Sequence, residues 1–176
     1  MDTILQLIDQ LIAEHKTVSD KTQSLEKAAN DVTLLSNLKQ AKETFISGNS
    51  SPDDDLKKLK QMLLAIDTWL IKHFNREETI LLPAVEKHGN DKLVTSLNSL
   101  LFEHTELRDR LSHSKKRVDE LLTGEMARNV WYATASDTRT YLSHTRKLLE
   151  THAARENHLF SEVRRYLKKH TQGKEK

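Results

Sequence analysis

The sequence predicts an all-α protein, an up-down-up-down four-helix bundle. Three observations carry this expectation: apolar residues recur at alternating steps of three and four, strand-like alternation is absent, and the four glycines and two prolines mostly mark segment ends. At 176 residues the chain is long enough to bury a sizeable core as one domain. The bundle is expected over residues 1–170, with a flexible tail at 171–176.

The first helix starts near Asp2 and is expected to run toward Ile46, with Asn30-Asp31 as a candidate break. The second begins after Pro52, where Asp53 to Asp55 suit the positive N-terminal end of a helix. Pro83 lies inside this helix and should kink it by freeing the carbonyl of Thr79. The third helix is expected from Asn90-Asp91 to Gly124, and the fourth from about Glu125 to His170.

Each helix carries an apolar stripe interrupted by a histidine. The stripes read Ile4, Ile8, Leu11, His15, Val18; then Leu59, Leu63, Ile66, Leu70, His73, Glu77. The third is Leu93, Leu97, Leu100, His104, Leu107, Leu111, and the fourth Tyr141, Thr145, Leu148, His152, Glu156, Leu159, Val163. Such seams pack antiparallel helices at roughly 20°, so His15, His73, His104 and His152 should point inward. His73 and His104 lie equidistant from the turn at Gly89 and should be level. Levelling His104 with His152 requires a turn somewhat beyond Gly124, and levelling His15 with His73 requires a break near Asn30 or irregular structure before the second helix.

His73-Phe-Asn-Arg-Glu77 and His152-Ala-Ala-Arg-Glu156 share the spacing HxxxE, which puts imidazole and carboxylate on one helix face. The second and fourth helices run the same way, so Glu77 and Glu156 lie one turn to the same side of their histidines. Six buried polar groups without partners would cost several kcal/mol or more for each ionised one. Two metal ions would resolve that cost, each taking two imidazoles and a share of both carboxylates. Nitrogen and oxygen donors suit iron, manganese or zinc, and an open-sided pair of sites in a bundle points to non-haem iron and oxygen chemistry.

Composition narrows the alternatives. Lys+Arg 28 against Asp+Glu 26 is too balanced for a nucleic-acid or membrane surface, and the basic stretch from Arg164 to Lys176 reads as a solvated helix end. Absence of cysteine excludes disulfides, iron–sulfur clusters and thiolate zinc sites. The N-terminus shows neither the basic region nor the cleavage site of a signal peptide, and no apolar run approaches the ~20 residues of a membrane span. A cytoplasmic location is expected.

Several neighbouring residues are also assigned. Glu14, Glu78 and Glu103 adjoin candidate ligands in sequence and are expected to face solvent. His144, two turns before His152, is weighed as a substitute ligand and placed on the bundle flank; His88, His113, His158 and His170 are expected at helix ends or polar faces. Tyr141, Trp69 and Phe74 are read as packing residues.

The set His15, His73-Phe-Asn-Arg-Glu77-Glu78 with Leu81-Leu82-Pro83, Phe102-Glu103-His104 and His152-Ala-Ala-Arg-Glu156-Asn-His-Leu-Phe160 resembles the hemerythrin-like (HHE cation-binding) family. The resemblance implies a carboxylate-bridged di-iron centre, with the irons (Fe2+/Fe3+) joined by oxide or hydroxide. His15, His73, His104 and His152 would be terminal ligands, with Glu77 and Glu156 bridging. Oxygen-carrying members have a further histidine where this chain has Arg108, and an HxxxxD where it has HxxxE. The pattern looks more like the branch containing di-iron proteins implicated in repairing iron–sulfur centres and iron- or oxygen-sensing domains, although the N-terminal cysteine-bearing segment of the repair proteins is missing. The expected function is binding of, or reaction with, O₂, NO or peroxide. The alternative is an iron-responsive interaction module whose stability depends on metal.

Overall fold

The computed structural model describes residues 2–30, 52–123 and 126–172. Within them the chain forms α1 (Asp2–Asn30), α2 (Pro52–Arg76), a π-helical turn (Glu77–Leu81), α3 (Leu82–His88), α4 (Asp91–Leu101), α5 (Glu103–Thr123) and α6 (Arg128–Gln172). No strand occurs among the described residues. Four columns result: α1, α2 continued into α3, α4 continued into α5, and α6. Around the bundle α1 packs on α2, α2 on α5, α5 on α6, and α6 back on α1. The expected four-helix bundle is the observed fold.

Several boundaries differ from those expected. α1 is described to Asn30, and the rest of the expected helix toward Ile46, with the loop at Gly48, lies outside the described residues. The expected second helix is divided rather than simply kinked. Pro83 cannot donate a backbone hydrogen bond, and the chain widens into a π turn just before it, with Leu82 N–H donating to Glu77 O. His73, Glu77, Leu81 and Val85 are all buried at successive steps of four. Such steps drift around a 3.6-residue helix, and the wider turn takes up the drift. The third helix is interrupted at Phe102, whose ring is exposed, and the fourth begins at Arg128 rather than Glu125. That last helix runs to Gln172; the remainder of the expected tail, 173–176, lies outside the described residues.

The turn between α3 and α4 is built locally. Asn90 caps α4 by accepting from Leu93 N–H at 3.0 Å. Gly89 donates to Val85 O at 2.7 Å, and a Cβ there would come within 2.6 Å of that oxygen. Any larger residue would push the turn open. At the other hairpin, Trp131 Nε1–H donates to Leu121 O at 2.9 Å and ties the start of α6 to the end of α5.

The core consists of two apolar clusters on either side of the histidine level. One joins Val18, Leu25, Leu63, Leu70, Leu111, Val118 and Leu149; the other joins Ile8, Leu11, Leu81, Leu97, Phe160 and Val163. The predicted stripes of the second and third helices are fully buried. In the first, Ile4 is only half-buried. In the fourth, Tyr141 and Leu148 are half-buried, and Leu142 and Leu149 take the deepest positions. Tyr141 turns instead toward α5, against His113 and the guanidinium of Arg110. No helix of the described residues is long and apolar enough to cross a membrane.

Leu63 is fully buried, whereas its neighbour Leu64 is 44% exposed. Leu63→Ala should therefore cost about 2–5 kcal/mol in a urea equilibrium unfolding measurement. Leu64→Ala should change stability by no more than roughly 0.5 kcal/mol.

Candidate metal centre

Helical spacing brings the two HxxxE pairs into the bundle from opposite corners, α2 with its π turn and α6. α1 supplies His15 and the first turn of α5 supplies His104. All six expected residues (His15, His73, Glu77, His104, His152 and Glu156) are brought together, and none is more than 4% exposed. They form a polar layer between the two apolar clusters.

The layer has two halves. His15 Nε2 lies 3.0 Å from His73 Nε2, and His104 Nε2 lies 3.1 Å from His152 Nε2. Each carboxylate spans both halves. Glu77 places Oε1 3.1 Å from His73 Nε2 and Oε2 3.2 Å from His104 Nε2. Glu156 places Oε1 3.0 Å from His152 Nε2 and Oε2 3.0 Å from His15 Nε2. Two groups have donor atoms close enough together to hold an ion: His15, His73, Glu77 and Glu156, and His104, His152 and Glu156. Both oxygens of Glu77 and Oε2 of Glu156 are buried without a hydrogen-bond partner; the ring nitrogens approach them but are not aligned as donors. Buried anionic oxygens facing converging imidazole nitrogens form a donor set suited to cations.

The electrostatics point the same way. Burial alone would depress the His15 pKa, but Glu156 and Glu77 overcome it and raise it to about 10. His104 is raised to about 9 for the same reason. Burial and the like charge of Glu156 oppose ionisation of Glu77, yet the surrounding histidines bring its pKa down to about 2. Glu156 is likewise held well below the ordinary carboxylate range, against its burial, by His104, His15 and His152. Without metal, protons on His15 and His104 supply positive charge to the carboxylates.

An outer ring of acceptors orients the imidazoles through Nδ1. Glu14 accepts from His73 at 2.7 Å, Glu78 from His104 at 2.8 Å and Glu103 from His152 at 3.0 Å. His15 has a neutral counterpart, Asn157 Oδ1, at 2.7 Å. Each glutamate is also clamped by an arginine: Arg76 on Glu14, Arg108 on Glu78 at 2.8 Å, and Arg155 on Glu103. The expectation that these glutamates simply face solvent is thus corrected. A residue next to an inward-facing one is turned about 100° around the helix, which aims it across the seam at the neighbouring helix's histidine. The arginine three or four residues after His73, His104 and His152 was the available signal.

Aromatic rings complete the walls. Phe74 stacks on His104 with centroids 3.8 Å apart, Trp69 on His73 at 5.0 Å, and Phe160 on His15 at 5.8 Å. His144 is exposed on the flank, as are His113, His158 and His170, while His88 is half-buried. Arg108 is turned to Glu78 and lies 5.3 Å over Phe74.

Comparison with family models matches residues 6–163 to the hemerythrin HHE cation binding domain. The chain belongs to this family. No curated protein and no solved structure was found to match it. Membership accords with cation binding and with the bundle; the polar layer is where this chain's own residues offer it.

The pKa shifts set a pH dependence for the metal-free HHE domain. Stabilisation from His15 and His104 is full below their ordinary value of 6.5 and lost as pH rises through about 9 and 10. That from Glu77 is full above 4.5 and lost as pH falls through about 2. Melting temperatures of chelator-treated protein should decline from neutral toward alkaline pH and again at strongly acid pH. Metal uptake near neutrality should release protons, measurable by calorimetry in buffers of different ionisation enthalpy.

Proposed function

We propose that this chain is a non-haem di-iron protein of the cytoplasm that binds or reacts with O₂, NO or peroxide. His15, His73, His104 and His152 act as terminal ligands, with Glu77 and Glu156 bridging. The observation that carries this reading is the pair of buried carboxylates, each directing one oxygen to each histidine pair. Iron, when bound, supplies electrons and open coordination positions for a small ligand. Manganese or zinc would also suit the donor set.

The chain's own groups have separate tasks. Outer acceptors hold each Nδ1–H, so every Nε2 presents its lone pair inward. Glu77 and Glu156 offset cationic charge in a space from which the flanking apolar clusters exclude water. Four imidazoles shared between two positions leave each less than saturated, and Arg108, engaged with Glu78, does not fill the vacancy. This favours reactivity or sensing over stable oxygen carriage.

A second reading draws on the polar layer that divides the core. Six buried ionisable groups tie folding to whatever neutralises them, so metal would stabilise the folded state by mass action. The chain would then be an iron-responsive interaction module without turnover. A large loss of helix on chelation favours the module; an intact bundle that cycles between iron oxidation states favours chemistry.

Anaerobic ferrous loading should give about two irons per chain, and air should then produce a near-ultraviolet ferric band. The double variant His73→Ala, Glu77→Ala should abolish both. Loading that reaches no more than one iron, or survives the double variant, would overturn the reading. Glu103→Gln should lower metal affinity by roughly 10–100-fold in a competition titration while leaving the helical spectrum unchanged.

A further inference from the structure

Three of the four interhelical seams at the level of the centre are bridged by glutamate–arginine clamps, and the cavities beside them, about 1100 Å³ and 310 Å³, touch none of the six central residues. Glu14–Arg76 bridges α1 and α2, Glu78–Arg108 bridges the π turn and α5, and Glu103–Arg155 bridges α5 and α6. At that level the fourth seam, between α1 and α6, has no such clamp among the described residues; its ion pairs, Glu26–Arg146 and Asp9–Arg164, lie further along the bundle to either side. There the outer acceptor is the neutral Asn157, and beside it lies a cavity of about 420 Å³. Lys16 and Ala154, at its mouth, are exposed; Ser19, Ala153 and Asn157 are half-buried along its walls; His15, at its inner end, is buried. The side chains of Ser19 and Ala153 are small enough to leave this space open.

Asn157 gives the cavity a chemical preference. A histidine that ligates through Nε2 carries its proton on Nδ1, so His15 donates to Asn157 Oδ1. The amide's Nδ2 group is then turned away from the ring, and it has no hydrogen-bond partner among the described residues. We propose that the α1–α6 cavity is the entry chamber through which small hydrogen-bond-accepting molecules reach the centre, with Asn157 as the donor that holds them beside His15. This rests on the di-iron reading and adds to it the route and the polarity of what is admitted.

The test compares variants that fill different seams. Ala153→Phe and Ser19→Leu narrow the chamber from α6 and α1 respectively. Ala65→Phe fills an unrelated groove between α1 and α2, lined by Thr17, Met62 and Ile66 and by none of the six central residues. Stopped-flow mixing of iron-loaded protein should show association of azide (oxidised state) and NO (reduced state) slowed on the order of tenfold by either chamber variant, and unchanged by Ala65→Phe. Asn157→Asp keeps the acceptor for His15 but places a negative charge where the donor stood. It should weaken azide binding by roughly tenfold more than it slows NO association. A readout without metal is deuterium exchange at C2 of the histidine rings, followed by mass spectrometry. In the metal-free protein, Ala153→Phe should slow exchange at His15 more than at His73, His104 or His152.

Association rates untouched by both chamber variants, or His15 exchange unaffected by Ala153→Phe, would overturn the entry route while leaving the di-iron reading intact. Equal effects of Asn157→Asp on azide and NO would overturn the assigned donor. Protein that never loads a second iron would instead bring down the reading beneath it. Should Ala153→Phe fail to fold, Ser19→Leu carries the same comparison from the opposite wall.

Discussion

Two carboxylates buried among four imidazoles set the terms for the rest of this molecule. Glu77 and Glu156 have no exposure and lie at the centre of the bundle, where an uncompensated negative charge is costly. They are tolerable only with positive charge between or beside them. The raised pKa values of His15 and His104 and the depressed ones of both glutamates are one balance seen from two sides. Protons can maintain that balance, and cations fit it better, because a metal can satisfy several converging lone pairs at once.

The surrounding architecture serves this layer. Four helices bring one histidine each to a common level, and the apolar clusters above and below fix that level by packing. The π turn keeps Glu77, Leu81 and Val85 on one inward face despite their steps of four. Outside the layer, glutamates from one helix reach histidines on the next, and arginines hold those glutamates. The position of each histidine is therefore set by contacts across seams as much as by its own helix's geometry. Partly exposed ion pairs contribute little stability singly; here their use is to fix the imidazole rings. At the level of the layer the α1–α6 seam departs from the pattern, with a neutral amide and a cavity instead of a clamp.

Much of this was legible in the chain. The alternating steps through Leu59, Leu63, Ile66 and Leu70, or Leu93, Leu97 and Leu100, mark a core face because helical periodicity is local. The inward direction of His73 and His104 follows from the same periodicity. The role of Glu14, Glu78 and Glu103 was misread, since facing away from one's own helix seam says nothing about the helix next door. Tyr141 and Leu148 were placed too deep for a related reason: adjacent positions on a helix compete for the inward arc, and the neighbouring column decides between them. The interruption at Phe102 has no glycine or proline to announce it.

By itself, the sequence determined the helices, their buried faces, the six polar intruders and the match of both HxxxE pairs. These depend on backbone hydrogen bonding and on spacing within one segment. Only the tertiary structure decided which nitrogens face each other, how each carboxylate is shared, which acceptor holds each ring and which seam holds a cavity that reaches a central histidine. Those are relations between residues as far apart as Glu14 and His73, or His15 and Asn157. Their distances are fixed when whole helices pack, by the combined burial of many apolar side chains, and no local spacing rule contains them.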